Sequence, residues 1–114
     1  MTIEIHPPRN AVQYASPDAE KIKQISTGPV TLLSVLAYNN GSATAYLQIF
    51  DATTAPTTTV TAPSLPPIPV PAGSSAAFDI PYKASAGIYI ALSSTPLVYT
   101  VLGSDDAIFF TRHL

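Results

Sequence analysis

Few side chains in this chain have the type and spacing for chemistry. Its two histidines, His6 and His113, lie near opposite ends, and neither has a second ligand at a metal-binding interval. Asp105 and Asp106 are adjacent, as carboxylates in a cation loop can be. They follow Gly103-Ser104, and in that setting such side chains serve a turn by accepting local backbone N–H groups. Glu4, Asp51 and Asp79 are scattered and define no acid–base pair. Serine and threonine are abundant, yet no Gly-x-Ser-x-Gly elbow is present and neither histidine stands where it would activate a hydroxyl. A glycine-rich phosphate loop is missing. The chain has no cysteine, which removes thiolate chemistry, thiolate metal sites and disulfides. Asn40-Gly41-Ser42 has the form of a glycosylation acceptor, but turn chemistry accounts for the same residues. Tyr46 and Tyr89, on expected outer faces, have the rings to stack on sugars, while cross-strand packing or an interface would use them equally well. The expectation is a protein that is not an enzyme, with no catalytic, cofactor-binding or metal-ligating residues.

The whole composition points the same way. In 114 residues, 46% are hydrophobic and only 11% charged, against roughly a quarter charged in an average soluble domain. That length suits one domain with its own core. Five Lys and Arg against seven Asp and Glu give a net charge of −2, so the basic footprint of a nucleic-acid binder is absent. High apolar content with low charge argues against disorder along the chain. The longest apolar run, residues 30–38, is about half the ~20 residues of a membrane helix. The first twenty residues carry no apolar leader core, so synthesis in the cytoplasm and no membrane partner are expected.

The elements that would position these residues read as strands. Residues 1–20 contain Pro7, Pro8 and Pro17, which forbid a long helix, and are expected as an extended N-terminal arm with a short strand over residues 2–6. The β-sandwich domain is expected over residues 21–114. It opens with either a helical turn at residues 18–21 or a brief strand over 21–26 with Ile22 inward. VTLLSVLAYN, residues 30–39, is rich in β-branched and apolar side chains and bounded by turn signals. Asn40-Gly41 then predicts a hairpin to ATAYLQIFD, residues 43–51, with Ala45, Leu47 and Ile49 on one face and Tyr46, Gln48 and Phe50 on the other. Residues 52–67 hold four prolines and read as one long extended loop. Ile68-Pro69-Val70 is an edge segment, since proline cannot donate to a ladder. Further strands are expected over residues 75–81 (Ala76, Phe78 and Ile80 together), 87–94, 97–102 and 107–112, with a loop at 83–86 and a hairpin turn at 103–106. Short strands with Gly, Pro and Asn turns and no amphipathic helix define an all-β fold, a single antiparallel β-sandwich or jelly roll.

Several strands are apolar on both faces, unlike the inward-only pattern of a lone sandwich. In residues 30–38, Leu33, Val35 and Ala37 alternate with Leu32, Leu36 and Tyr38; residues 97–102 are similar, and Phe109 and Phe110 point to opposite sides. Burying one Leu or Phe is worth roughly 1.5–3 kcal/mol, so an open row of them is an association site. The expected cover is a sister subunit, a trimer being favoured, with the arm or the long loop as the intramolecular alternative. The candidate interface residues are Ile3, Ile5, Val12, Tyr14, Leu36, Tyr38, Tyr46, Phe50, Tyr89 and Phe110.

VLAYNNGSATAYLQIFDA (residues 35–52), IPVPAGSSAAF (68–78) and GIYIALSST (87–95) together resemble a pattern in small bacteriophage virion structural proteins. With the Pro-rich loop between the first two segments, the resemblance spans about half of the chain and carries no catalytic residue. It implies a capsid cement (decoration) protein or a fibre-associated β-domain, located in the virion. The partners so implied are sister copies and a major capsid protein or another virion protein. The alternative is a host-recognition or carbohydrate-binding β-sandwich module of a fibre or tail.

Overall fold

The computed structural model describes residues 11–79 and 81–114. Ile3, Ile5, His6, Glu4 and Ile80, and the strand expected over residues 2–6, lie outside the described residues. Among the described residues there are nine strands and no helix: β1 (Val12–Ala15), β2 (Ile22–Ser26), β3 (Val30–Asn39), β4 (Ala45–Phe50), β5 (Ile68–Val70), β6 (Ser75–Phe78), β7 (Tyr82–Ala84), β8 (Ile88–Ser93) and β9 (Ala107–His113). They form two antiparallel sheets packed as a sandwich. The first has the order β1-β9-β3-β6, with β7 also on β3, and the second β2-β8-β4-β5. The core between them is built from Leu32, Val35, Ala37 and Phe109 of the first sheet and Leu47, Ile49, Ile88, Ile90 and Leu92 of the second.

The long strand β3 is apolar in two phases because it contains a bulge. Its pairing with β9 slips between Leu32 and Ser34. Before the slip Val30 and Leu32 are buried; after it Val35, Ala37 and Asn39 are. One extra residue inverts the alternation, so both apolar sets face the same core. Opposite the bulge, the other edge of β3 is shared by β6 on residues 35–38 and β7 on residues 30–32. Pro81 stands in the break between them, where no N–H is available for the ladder.

The predicted β3–β4 hairpin is replaced by a crossing between sheets. Both edges of β3 are already filled, by β9 on one side and β6 with β7 on the other. A type I′ turn needs φ > 0 at both central residues. Among the described residues only Thr59 (φ 61°) and Gly73 (φ 70°) have it. Asn39 redirects the chain instead: its Oδ1 accepts the Gly41 N–H at 2.8 Å, and its Nδ2 donates to the carbonyls of Ala43 at 2.8 Å and Val70 at 2.9 Å.

Residues 97–102 are likewise no strand but a loop laid over the second sheet, and the expected loop at 83–86 begins inside β7. The brief strand at 21–26 is present as β2, but Ile22 pairs with Ala91 and packs on the outer side of the second sheet. The segment expected as an arm contributes an edge strand, β1, along residues 110–113. Residues 16–20 continue the attachment: Ser16 N–H donates to the Phe109 carbonyl at 2.9 Å, and Glu20 and Ala107 exchange two backbone bonds of 2.8 Å. Lys23 Nζ lies 4.9 Å from the Tyr14 ring centre, closing one open side of the sandwich.

Candidate functional site

The two sheets differ in what covers their outer faces. On the second sheet, the outward residues of β4 and β8 include Gln48, Phe50, Ala91 and Ser93, all buried. Their cover is the chain itself. Tyr99 packs edge-on against Phe50 with ring centres 6.1 Å apart, and Phe50 is only 1% exposed. Gln48 Nε2 donates to the carbonyls of Thr95, Pro96 and Val98 at 3.0, 3.0 and 3.1 Å. Ser93 Oγ accepts the N–H groups of Thr95 and Thr100 and donates to the Thr95 carbonyl. Together these hold residues 94–100 down. The long Thr/Pro loop then docks on this cover: Thr59 N–H donates to the Tyr99 carbonyl at 2.6 Å, and Tyr99 N–H to the Thr61 carbonyl at 2.7 Å. Burial pushes the Tyr99 hydroxyl pKa up.

Asp51, at the start of that loop, is a structural anchor. Its carboxylate accepts the N–H groups of Ser85 at 3.0 Å, Ala86 at 2.8 Å and Gly87 at 3.3 Å, and the Tyr82 hydroxyl at 3.2 Å. Partial burial works against the charged form, but the backbone donors and Tyr82 outweigh it and bring the pKa down to about 2. Burial, with the Asp51 charge next, raises Tyr82. Asp106 accepts the Ser104 hydroxyl at 2.7 Å, which is turn chemistry. Burial lowers the pKa of His113. Among the described residues, no three His, Cys, Asp or Glu side chains gather as metal ligands, and no helix is long and apolar enough to cross a membrane.

The first sheet leaves its outer face open among the described residues. Register places three rows across its strands. Gln13, Arg112 and Ser34 form one, continued by Asp79 just beyond β6; Ala15, Phe110, Leu36 and Ala77 form the next; Ile108, Tyr38 and Ser75 form the third. Phe110 is 50% exposed at the centre. The first two rows line a groove of about 640 Å³.

The ten interface candidates therefore separate. Leu36, Tyr38 and Phe110 come together on this open face. Tyr46, Phe50 and Tyr89 belong to the second sheet, with Phe50 sealed under Tyr99 and Tyr89 packed beside it. Tyr14 packs on the core and donates its hydroxyl to Glu20, and Val12 is exposed on the edge strand. Sequence reasoning missed Arg112, Ala15 and Ala77 on the open face, and Gln48 and Tyr99 under the loop. A two-residue period on β9 identifies Arg112 as a neighbour of Phe110; nothing local marks the loop's fold-back. Comparison with family models, curated proteins and solved structures found no match.

Proposed function

We propose that this chain is a non-enzymatic virion structural protein of the capsid cement kind, binding an assembled protein lattice and stiffening it as a homo-oligomer. The observation that carries the reading is the open face of the first sheet, an apolar row centred on half-exposed Phe110. The buried polar side chains Asn39, Gln48 and Ser93, and the partly buried Asp51, are committed to holding loops. The strand orders add support. Strands β1 to β4 alternate between the two sheets, as the early strands of a jelly roll do, a fold used by viral capsid proteins and also by lectins. A charge-poor oligomer gains affinity on a repeating lattice by avidity, several weak contacts acting together. The test is gradient co-sedimentation with capsids: saturable co-migration and a higher capsid melting temperature are expected.

A second reading rests on the same groove. Exposed Phe110 lies beside Gln13, Arg112 and Asp79, an aromatic platform next to hydrogen-bonding groups, which suits a carbohydrate. A chain that stays at the top of the gradient and binds an array of glycans belongs to this class.

A further inference from the structure

We infer that the open face of the first sheet is a two-fold interface, and that its occupant is a second copy of this chain. The inference rests on the reading of the protein as a self-assembling structural component and names the surface and symmetry that reading needs.

The rows themselves are self-complementary. Consider a two-fold axis parallel to the strands, passing between β9 and β3. It sets β9 against the partner copy's β3 and β1 against its β6, and each row meets itself in reverse. The apolar row runs small–large–large–small: Ala15, Phe110, Leu36, Ala77. Reversed, each large side chain meets a large one and each alanine meets an alanine. The neighbouring row reads Gln13, Arg112, Ser34, Asp79. Reversed, Arg112 faces serine and Asp79 faces glutamine, so no like charges meet, and Arg112 lies diagonal to the opposite aspartate. The third row brings Ile108 against tyrosine. A three-fold ring would place this patch against a different one, so the trimer expected from sequence gives way here to a pair.

Area sets the strength. Four strands ~4.8 Å apart over the length of β9 outline roughly 19 × 23 Å, or about 900 Å² in projection for the two copies before side-chain relief is counted. That is near the ~1,000 Å² that separates weak from stable interfaces. The pair should therefore exchange with monomer at micromolar concentration.

The experiment is sedimentation equilibrium of the full chain across roughly 1–500 μM. A monomer–dimer equilibrium is expected, which Phe110→Arg abolishes while its melting curve stays cooperative, since Phe110 is outside the core. Two conservative rim changes test the register. Gln13→Lys, placed opposite Asp79, should tighten the dimer about two- to fivefold, and Gln13→Glu should weaken it by a similar factor. Because the chain has no cysteine, Leu36→Cys and Phe110→Cys chains mixed and oxidised should give the mixed disulfide in preference to either homodimer. A monomer throughout the range, a trimer, or a dimer indifferent to Phe110→Arg overturns the proposal. If Phe110→Arg abolishes glycan binding and the wild type is monomeric, the groove belongs to a sugar. Capsid co-sedimentation of the monomeric variant reports separately on the virion role.

Discussion

Replacing Gln48 tests whether the second sheet is sealed by its own loop. The side chain is fully buried, and its two amide N–H groups are shared among the carbonyls of Thr95, Pro96 and Val98. Gln48→Leu keeps the volume and removes both donors. Each carbonyl left dry costs roughly 1–3 kcal/mol. Gln48 Oε1 is itself buried without a partner among the described residues, so its removal returns part of that cost. The balance is a loss of about 3 kcal/mol. For a chain of this length the entropy of unfolding is about 240 cal/mol/K, so the melting temperature should fall by about 12 °C. Hydrogen exchange should localise the damage: amides of residues 94–102 exchange faster, while those of β4 and β8 that pair with each other retain protection relative to global unfolding. A Gln48→Leu protein that melts within about 3 °C of wild type, with unchanged exchange over 94–102, would refute the claim that these hydrogen bonds hold the loop.

Three further substitutions follow from the geometry. The Asp51 pKa lies below its ordinary 3.8, so its contribution is present above that value and is lost as pH falls toward about 2; Asp51→Asn should lower the melting temperature at pH 7 and flatten its decline between pH 4 and 2. A Cβ at Gly87 would stand 2.7 Å from the Ser26 carbonyl and 2.8 Å from that of Ala52, both backbone, so Gly87→Ala should cost about 1–3 kcal/mol in denaturant unfolding. Thr59 holds φ 61° despite its β-branch, and Thr59→Asn should raise the melting temperature by about 2–4 °C by easing that conformation; a decrease would mean that the Thr59 side chain contributes more than its strain costs.

The strands legible in the sequence were those whose fate is decided locally. Residues 30–39, the return strand ending at Phe50, and the strands near 88–93 and 107–113 all carry enough β-branched and aromatic residues between turn signals to be read directly. Partners were not legible. Asn40-Gly41 marks a turn correctly, but whether the turn returns to the same sheet depends on whether the edge of β3 is free, and residues 75–84 and 107–113 occupy both edges. The same limit applies to residues 97–102. Their β-propensity is real, yet Gln48 and Ser93, about fifty and a few residues away, hold the segment off the ladder at Val98 and Thr100.

The apolar surplus on both faces has three physical answers, and only one of them calls for a partner. In β3 part of the surplus is a change of phase, because the bulge between Leu32 and Ser34 turns Val30 and Leu32 as well as Val35 and Ala37 inward and leaves Leu36 and Tyr38 on the outer face. In β4 and β8 it is internal cover, because Tyr99 and its loop remove Phe50 and Ala91 from water. Among the described residues, Phe110 has neither remedy. Its neighbour Phe109 already fills the core, β9 pairs with β3 and β1 on its two sides, and the ring remains half in water beside Leu36. Burying that ring against another surface is worth roughly 1 kcal/mol or more per copy, since half of a Phe side chain's ~1.5–3 kcal/mol is still unclaimed. The cost of ordering it is small, because a ring on a central strand is already held by its neighbours. Association driven from this position therefore needs no rearrangement of the sandwich, and its sensitivity to Phe110→Arg should appear in the association constant and not in the melting temperature.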